Sequence, residues 1–280
     1  MACAGWADLR YAARMDFTDT QLHRYSRHII LPEVGGVGQT RLLQSKVLVV
    51  GAGGLGSPLL LYLAAAGVGT IGIVDDDAVD LSNLQRQVIH DEASLGVPKV
   101  ESAAARMRAL NPDVRVEPHQ TRINKDNALD LIGRYDLVAD GSDNFATRFL
   151  LNDACYFARR PLVSAAMLRF DGQVSTFKAF ERAPGGDHKP CYRCIFREPP
   201  PRGMVPSCSE GGVLGALAGL VGTMQATEVL KELLGIGESL AGSMLMIDAL
   251  HASFHRIAVK PDPECPLCGA HPTITDLSIH

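Results

Sequence analysis

The sequence predicts an α/β protein built on a doubly wound, mostly parallel sheet with an antiparallel extension towards the C-terminus. Three observations predict it. The stretch GAGGLG (51–56) sits between an apolar strand-like run and an apolar helix-like run. Strand-like and helix-like segments then alternate from residue 46 to about 167, the rhythm of a parallel sheet covered by helices on both faces. After Gly172 that rhythm stops, and QVSTFKAF (173–180) and SFHRIAV (253–259) read as strands without crossover helices. With the glycines at its first turn, the pattern is Rossmann-like.

Each element has its own signal. KVLVVG (46–51) is an apolar strand, and SPLLLYLAAAG is a helix with Ser57 and Pro58 in its first turn. TIGIVDDD (70–77) is a strand with three acids at its carboxyl end, and PKVESAAARMRALNP (98–112) is an amphipathic helix closed by Asn111-Pro112. VRVEPH (114–119), DLVAD (136–140) and PLVSAAM (161–167) are further strands, with the helix FATRFLLNDACYFA (145–158) before the last of them. CYRC (191–194) and the Pro-rich REPPPRGMVPS (197–207) precede a long helix ending near Leu234. Residues 1–20 read as an N-terminal extension, with 1–14 expected to lack order, and 21–280 as a single domain.

The chain has 280 residues, 46% of them hydrophobic and 21% charged, an ordinary globular composition. Its 27 Lys and Arg against 31 Asp and Glu give a formal charge of -4, which argues against nucleic-acid binding through bulk charge. Two uncharged runs, 54–74 and 211–227, have the look of membrane spans. The first contains Pro58 and several glycines and reads as a buried helix followed by a buried strand. The second reads as a Gly- and Ala-rich helix buried at an interface. A soluble, cytoplasmic protein with no secretory leader and no membrane contact is expected.

Three physical needs explain Gly51, Gly53 and Gly56: a tight turn, close approach of backbone N–H groups to phosphate, and tight helix–strand packing. Asp75 follows about 20 residues on, where a ribose hydroxyl finds its acceptor. This fingerprint suits any adenosine nucleotide and does not choose between NAD and ATP. The segment LSNLQRQVI (81–89), with Asn83, Gln85, Arg86 and Gln87, and Lys99 at a helix start narrow the choice. A pyrophosphate is held largely by helix-terminus amides, whereas a triphosphate calls for more cationic side chains and Mg²⁺. Taken singly, Arg86 and Lys99 read as solvated surface cations; together, beside a nucleotide loop, they read as phosphate partners. ADGSDN (139–144) ends a strand where ligands of doubly wound sheets bind, so Asp140 and Asp143 can both face the crevice and hold Mg²⁺. Ser142, Asp143 or Asn144 also suits the N-cap of the next helix.

Four cysteines form two C-x-x-C pairs, Cys191 with Cys194 and Cys265 with Cys268, on loops flanked by Pro and Gly. They read as one structural tetrahedral zinc site tying the C-terminal tail to the domain, with redox disulfides as the competing reading. Cys155 reads as a small buried hydrophobe and Cys3 as incidental. Cys208, in VPSCSEGG before a helix, is either a nucleophile or an ordinary loop cysteine, and the residues alone do not decide.

Taken together, GAGGLG, Asp75, SNLQRQ, Lys99, SDN, the two C-x-x-C pairs and the loop cysteine resemble the E1-like, ubiquitin-activating-like adenylyltransferases (the MoeB/ThiF/HesA group). The resemblance is strongest to those that activate ubiquitin-like sulfur-carrier proteins for molybdopterin or thiamine synthesis. It runs from about Arg24 to Cys268 and includes RYSRHIILPEVG (24–35), similar to the opening segment of the family. It implies that Gly54 approaches the phosphates, that Asp75 holds the ribose, and that Ser82, Asn83, Leu84, Gln85 and Arg86 line the ATP site. Arg86 and Lys99 would contact phosphates, and Asp143 would ligate Mg²⁺ with Asn144 alongside. Arg27 matches an arginine contributed across a symmetric homodimer, and the four paired cysteines match zinc ligands. Cys208 matches a cysteine that, in some members, links covalently to the activated carrier.

The implied reaction is attack by the carrier's C-terminal Gly-Gly carboxylate on the α-phosphorus of ATP, giving an acyl-adenylate and pyrophosphate. That carboxylate is already ionised at neutral pH, so positioning and charge neutralisation suffice, no general base is required, and His90 reads as structural. CYRC, PSCSEGGVLG and SNLQRQ lean towards the small subunit of molybdopterin synthase; the thiamine carrier, or service to both, is the alternative. Only 12 residues follow Cys268, so no C-terminal rhodanese-like domain is expected. Sulfur would then come in trans, from a sulfurtransferase or a cysteine desulfurase. Two other classes compete. An NAD-dependent oxidoreductase would want a proton-relaying His or Tyr that the sequence does not place, and a non-catalytic scaffold would be free to lose the triphosphate and metal candidates.

Overall fold

A computed structural model describes residues 17–181, 188–201, 204 and 211–280. Three helices come first: α1 (Asp19–Arg24), α2 (Ser26–Ile29) and α3 (Gly35–Gln44). Thr18 caps α1 in a reciprocal box with Gln21, so helix begins within the stretch set aside as an N-terminal extension. Next come β1 (Lys46–Val50), α4 (Gly56–Ala66), β2 (Thr70–Val74), α5 (Lys99–Leu110), β3 (Arg115–His119), α6 (Ala128–Gly133) and β4 (Leu137–Asp140). The chain continues through α7 (Phe145–Ala158), β5 (Leu162–Leu168), β6 (Asp171–Phe177), the long α8 (Gly215–Leu234), β7 (Ser243–Asp248) and β8 (Ser253–Ala258).

All eight strands share one sheet in the order β3-β2-β1-β4-β5-β6-β7-β8. The pairs from β3 through β5 are parallel, and those from β5 to β8 are antiparallel. The mixed Rossmann-like sheet and its antiparallel extension are therefore as the sequence predicts. Strand order reverses at β1, whose Val50 pairs with Val74 of β2 on one side and Asp140 of β4 on the other. Gly51, Asp75 and Gly141 consequently leave the sheet side by side, at the switch point where such sheets open a crevice. Pro118, which cannot donate to a ladder, is tolerated because β3 is an edge strand paired only with β2.

The apolar character of β1 follows from burial on both faces. Val47 and Val49 face one core with Leu59, Leu60 and Leu63 of α4, Val100 and Met107 of α5, and Val221 and Val229 of α8. Leu48 and Val50 face the other, with Ile132 of α6 and Phe149, Leu151 and Cys155 of α7. Burial also pushes the Cys155 thiol pKa well up, which suits a plain core residue. The Gly- and Ala-rich helix read as buried at an interface is α8, and it packs within the chain. A Cβ on its Gly222 would stand 2.5 Å from the Leu55 carbonyl oxygen, so only glycine lets α8 lie this close to α4. Among the described residues, no helix is long and apolar enough to cross a membrane.

Candidate active site

The three fingerprint glycines serve different ends. Gly51 turns the chain out of β1 with φ +97°, and a Cβ there would stand 2.8 Å from the Gly141 carbonyl oxygen. A Cβ on Gly56 would overlap the Gly51 carbonyl oxygen. These two are required by the fold itself. Gly53 is not: the nearest atom to an added Cβ is Nε2 of Gln87, at 3.7 Å. The loop thus leaves open space in front of Gly53, just before the N-terminus of α4, where backbone N–H groups attract anions.

That space belongs to a cleft of about 520 Å³, a size usual for small-ligand sites. Of the residues the sequence singles out, Gly51, Gly53, Gly54, Asp75, Arg86, Lys99, Asp143 and Asn144 line it. Asp75 accepts hydrogen bonds from the Ala52 N–H at 2.8 Å and the Asp77 N–H at 2.9 Å, fixing both carboxylate oxygens at the end of β2. Its burial pushes the carboxyl pKa up, against the pull of those two donors. Lys99 opens α5 with its ammonium buried and 2.6 Å from Asp77 Oδ2. Arg86, half-buried, donates from Nη1 to the Ser82 carbonyl at 2.9 Å.

The two acids of ADGSDN are not equivalent. Asp140 is fully buried and accepts from the Ser142 and Ser164 hydroxyls at 2.6 and 2.8 Å, with Arg148 Nε at 3.4 Å. It is committed inside the protein and does not face the crevice. Asp143 is exposed on the cleft wall, while Asn144 provides the N-cap of α7 by accepting from the Thr147 N–H at 2.8 Å. The Asp143 carboxylate is therefore free of the capping duty.

Other singled-out residues lie outside the cleft lining. Gly56 sits behind the loop, and Ser82, Asn83, Leu84 and Gln85 form the turn that carries Arg86 inward. Asp80 caps that turn by accepting from the Ser82 N–H at 2.8 Å. Arg27 is exposed on α2 and does not line the cleft. Cys208 lies outside the described residues. His90 is buried below the loop: Nε2 donates to the Ala52 carbonyl at 2.9 Å and Nδ1 accepts from the Ser102 hydroxyl at 2.8 Å. It holds the loop from beneath, the structural role the sequence suggests.

Two cleft residues escaped the sequence reading. Arg148, almost fully buried, lines the cleft one turn into α7 and donates from Nη2 to the Ser142 carbonyl at 3.1 Å. Its position four residues after the Asn144 cap is the signal available for it. In the sequence Gln87 is one member of a polar segment, yet its side chain borders the gap before Gly53.

A second constellation stands beside the cleft. The thiols of Cys191, Cys194, Cys265 and Cys268 converge, with sulfur separations of 3.4 to 3.9 Å and no disulfide. Tetrahedral zinc with Zn–S bonds of about 2.3 Å needs sulfur–sulfur edges near 3.8 Å, whereas a disulfide needs about 2 Å. The four thiols fit a closed zinc site. Its loop is docked on α7 by Arg193, which donates to Asp153 at 2.7 and 2.8 Å, and by the Tyr192 N–H, which donates to Asn152 Oδ1 at 2.8 Å. Burial disfavours charge on Asp153, but hydrogen bonds from His280 and Arg193 outweigh it and hold the pKa below the usual range. Tyr192, packed edge-on against Phe149 and Phe177, also lines the cleft, so this knuckle forms part of its wall.

A glycine loop at a switch point, an acid at the end of β2 and cations at the crevice define a nucleotide-binding α/β protein. The model of the ThiF family matches residues 25–267, and the chain belongs to that family of E1-like nucleotidyltransferases. It is 51% identical over 263 residues to a sulfur carrier protein adenylyltransferase of Thermus thermophilus, spanning 94% of this chain and 96% of that one. It is 54% identical over 250 residues to the SAMP-activating enzyme E1 of Haloferax volcanii, spanning 89% and 90%. Against adenylyltransferase and sulfurtransferase MOCS3 of Sus scrofa it is 52% identical over 92% of its own length but 55% of the relative's. The chain thus spans about half of that longer relative. The crystal structure of E. coli MccB with ATP shares the fold, with a TM-score of 0.74 at 22% identity over 88% of this chain and 74% of that one.

Proposed function

We propose that the chain adenylates the C-terminal glycine carboxylate of a ubiquitin-like sulfur-carrier protein, using ATP and releasing pyrophosphate. The observation that carries this reading is the gathering of Arg86, Lys99 and Asp143 around the open space before Gly53. A dinucleotide would need neither the buried ammonium nor the exposed acid. The names of the relatives at 51% and 54% identity support the class of acceptor.

Each carboxylate oxygen of Asp75 keeps a lone pair beyond its backbone bond, enough to accept from the ribose hydroxyls. Lys99 and Arg86 neutralise phosphate charge, with the ammonium exchanging or sharing its contact to Asp77. Asp143 would hold Mg²⁺, whose usual set is one or two carboxylates plus substrate phosphates, and the ion would supply further charge neutralisation. The incoming carboxylate needs no base, and among the described residues no histidine lines the cleft. The four cysteines hold a structural zinc, which has no open position for chemistry. Arg27 reaches the cleft of a partner subunit in a homodimer, which accounts for its exposure away from its own cleft. The acceptor favoured is the small subunit of molybdopterin synthase, with sulfur delivered in trans and Cys208 at the position of a covalent link.

Calorimetric titration of the chain with ATP and with NAD tests the nucleotide. Binding of ATP alone is expected; binding of NAD alone would return the chain to the oxidoreductases.

A further inference from the structure

We infer that Gln87 is a nucleotide-binding residue whose side-chain amide donates to a phosphoryl oxygen held in front of Gly53. The inference rests on the ATP reading of this cleft and adds a contact to it.

Gln87 follows Arg86 in the turn after β2, anchored by its backbone N–H, which donates to the Asn83 carbonyl at 2.9 Å. Its side chain is only 4% exposed, yet it lines the cleft. Oε1 is buried and has no hydrogen-bond partner among the described residues. The amide nitrogen stands 3.7 Å from where a Cβ on Gly53 would lie, and no side chain or carbonyl accepts from it among the described residues. Buried polar groups are almost always paired, so a nearly buried glutamine whose oxygen has no partner and whose nitrogen meets only the cleft, among the described residues, needs an explanation.

The geometry supplies one. Consecutive side chains border consecutive glycines: Arg86 Cγ lies 3.5 Å from the position of a Cβ on Gly54, where Met167 and Ala218 come closer at 3.1 and 3.3 Å, and Gln87 Nε2 lies 3.7 Å from that on Gly53. A phosphoryl chain laid along the loop passes both. Arg86 offers it charge, and Gln87 offers a directed neutral donor from the opposite side to the backbone N–H groups. Glutamine suits the task because a carboxylate of the same shape would repel the phosphate. The amide nitrogen, aimed at the space before Gly53 without an acceptor among the described residues, is then the group that the ligand completes.

Two near-isosteric variants of the full chain test this. Gln87→Met removes the donor, and Gln87→Glu replaces it with a charge of the wrong sign. Calorimetry with ATP, and competition with adenosine, which lacks the phosphates, gives the readout. Gln87→Met should weaken ATP about 10- to 100-fold, as loss of a hydrogen bond to a charged group does, and Gln87→Glu should weaken it further. Adenosine should bind all three proteins alike. The nucleotide-free Gln87→Met protein should melt at or above the wild-type temperature, because a buried oxygen without a partner has been removed. Wild-type ATP affinity in Gln87→Met would overturn the inference. So would equal losses for ATP and adenosine with a lowered melting temperature, which would mark a packing role. A wild-type chain that binds no ATP would overturn the underlying nucleotide reading, and the inference with it.

Discussion

Replacing Gly53 and Gly56 in turn by alanine separates what the fold asks of the loop from what a ligand asks. At Gly56 the new methyl would overlap the Gly51 carbonyl oxygen and lie 2.9 Å from its carbon, backbone atoms that cannot rotate away. The turn between β1 and α4 must open to admit it, and a loss of about 3 kcal/mol, the upper part of the overpacking range, is expected. At Gly53 the methyl meets nothing closer than 3.7 Å, and the residue does not have a positive φ. Alanine there should leave stability unchanged or raise it by about 0.4–1 kcal/mol through the unfolded chain. The same methyl occupies the space a phosphate would enter, so ATP affinity should fall at least about tenfold, or about 1.4 kcal/mol. Urea unfolding gives the first quantity and calorimetric titration the second. Wild-type ATP affinity in folded Gly53→Ala would refute the phosphate path along this loop, and destabilisation equal to that of Gly56→Ala would refute the division of roles.

Burial pushes the His90 imidazole pKa below its usual value. The folded chain therefore holds His90 neutral, and its contribution to stability is present above about pH 6.5 and lost as pH falls from there towards the folded pKa. Urea midpoints should drop over that window, less steeply in His90→Gln; an unchanged slope would exonerate His90. Elemental analysis of reduced protein should find a single zinc per chain that Cys265→Ser abolishes, and two disulfides without metal would contradict the site. Mixing Arg27→Ala with Asp143→Ala subunits should restore part of the carrier-dependent activity; no restoration after proven subunit exchange would remove Arg27 from the partner's cleft.

The parallel half of the sheet was legible because β1, β2, β4 and β5 are short apolar runs separated by helical patterns and glycines. β7 was not: SMLMID has no alternation, and its methionines and leucine suit helix as well as strand. Glycines, Asp75, Arg86, Lys99 and Asp143 were legible through spacing along the chain, and the cleft gathers all of these but Gly56. Asp140 and Asp143 could not be told apart, since they are the same residue type three positions apart. What separates them is Ser164, 24 residues away on β5, which claims the first acid. Ser82 to Gln85 share a segment with Arg86, but a turn exposes its members to different sides, and only Arg86 and Gln87 reach the cleft. Arg148 and Gln87 matter through their surroundings, which no residue pattern announces. The cysteine pairs were legible as pairs, and folding brings partners 74 residues apart within 3.5 Å.

Adenylation itself is tested most directly by exchange of labelled pyrophosphate into ATP in the presence of Mg²⁺. The acceptors are the small subunit of molybdopterin synthase and the thiamine sulfur carrier, each with and without its terminal glycine. Exchange that requires one carrier's intact tail is the expected result, and it names the acceptor at the same time. No exchange with either carrier, from folded chain that binds ATP, would contradict the proposed reaction.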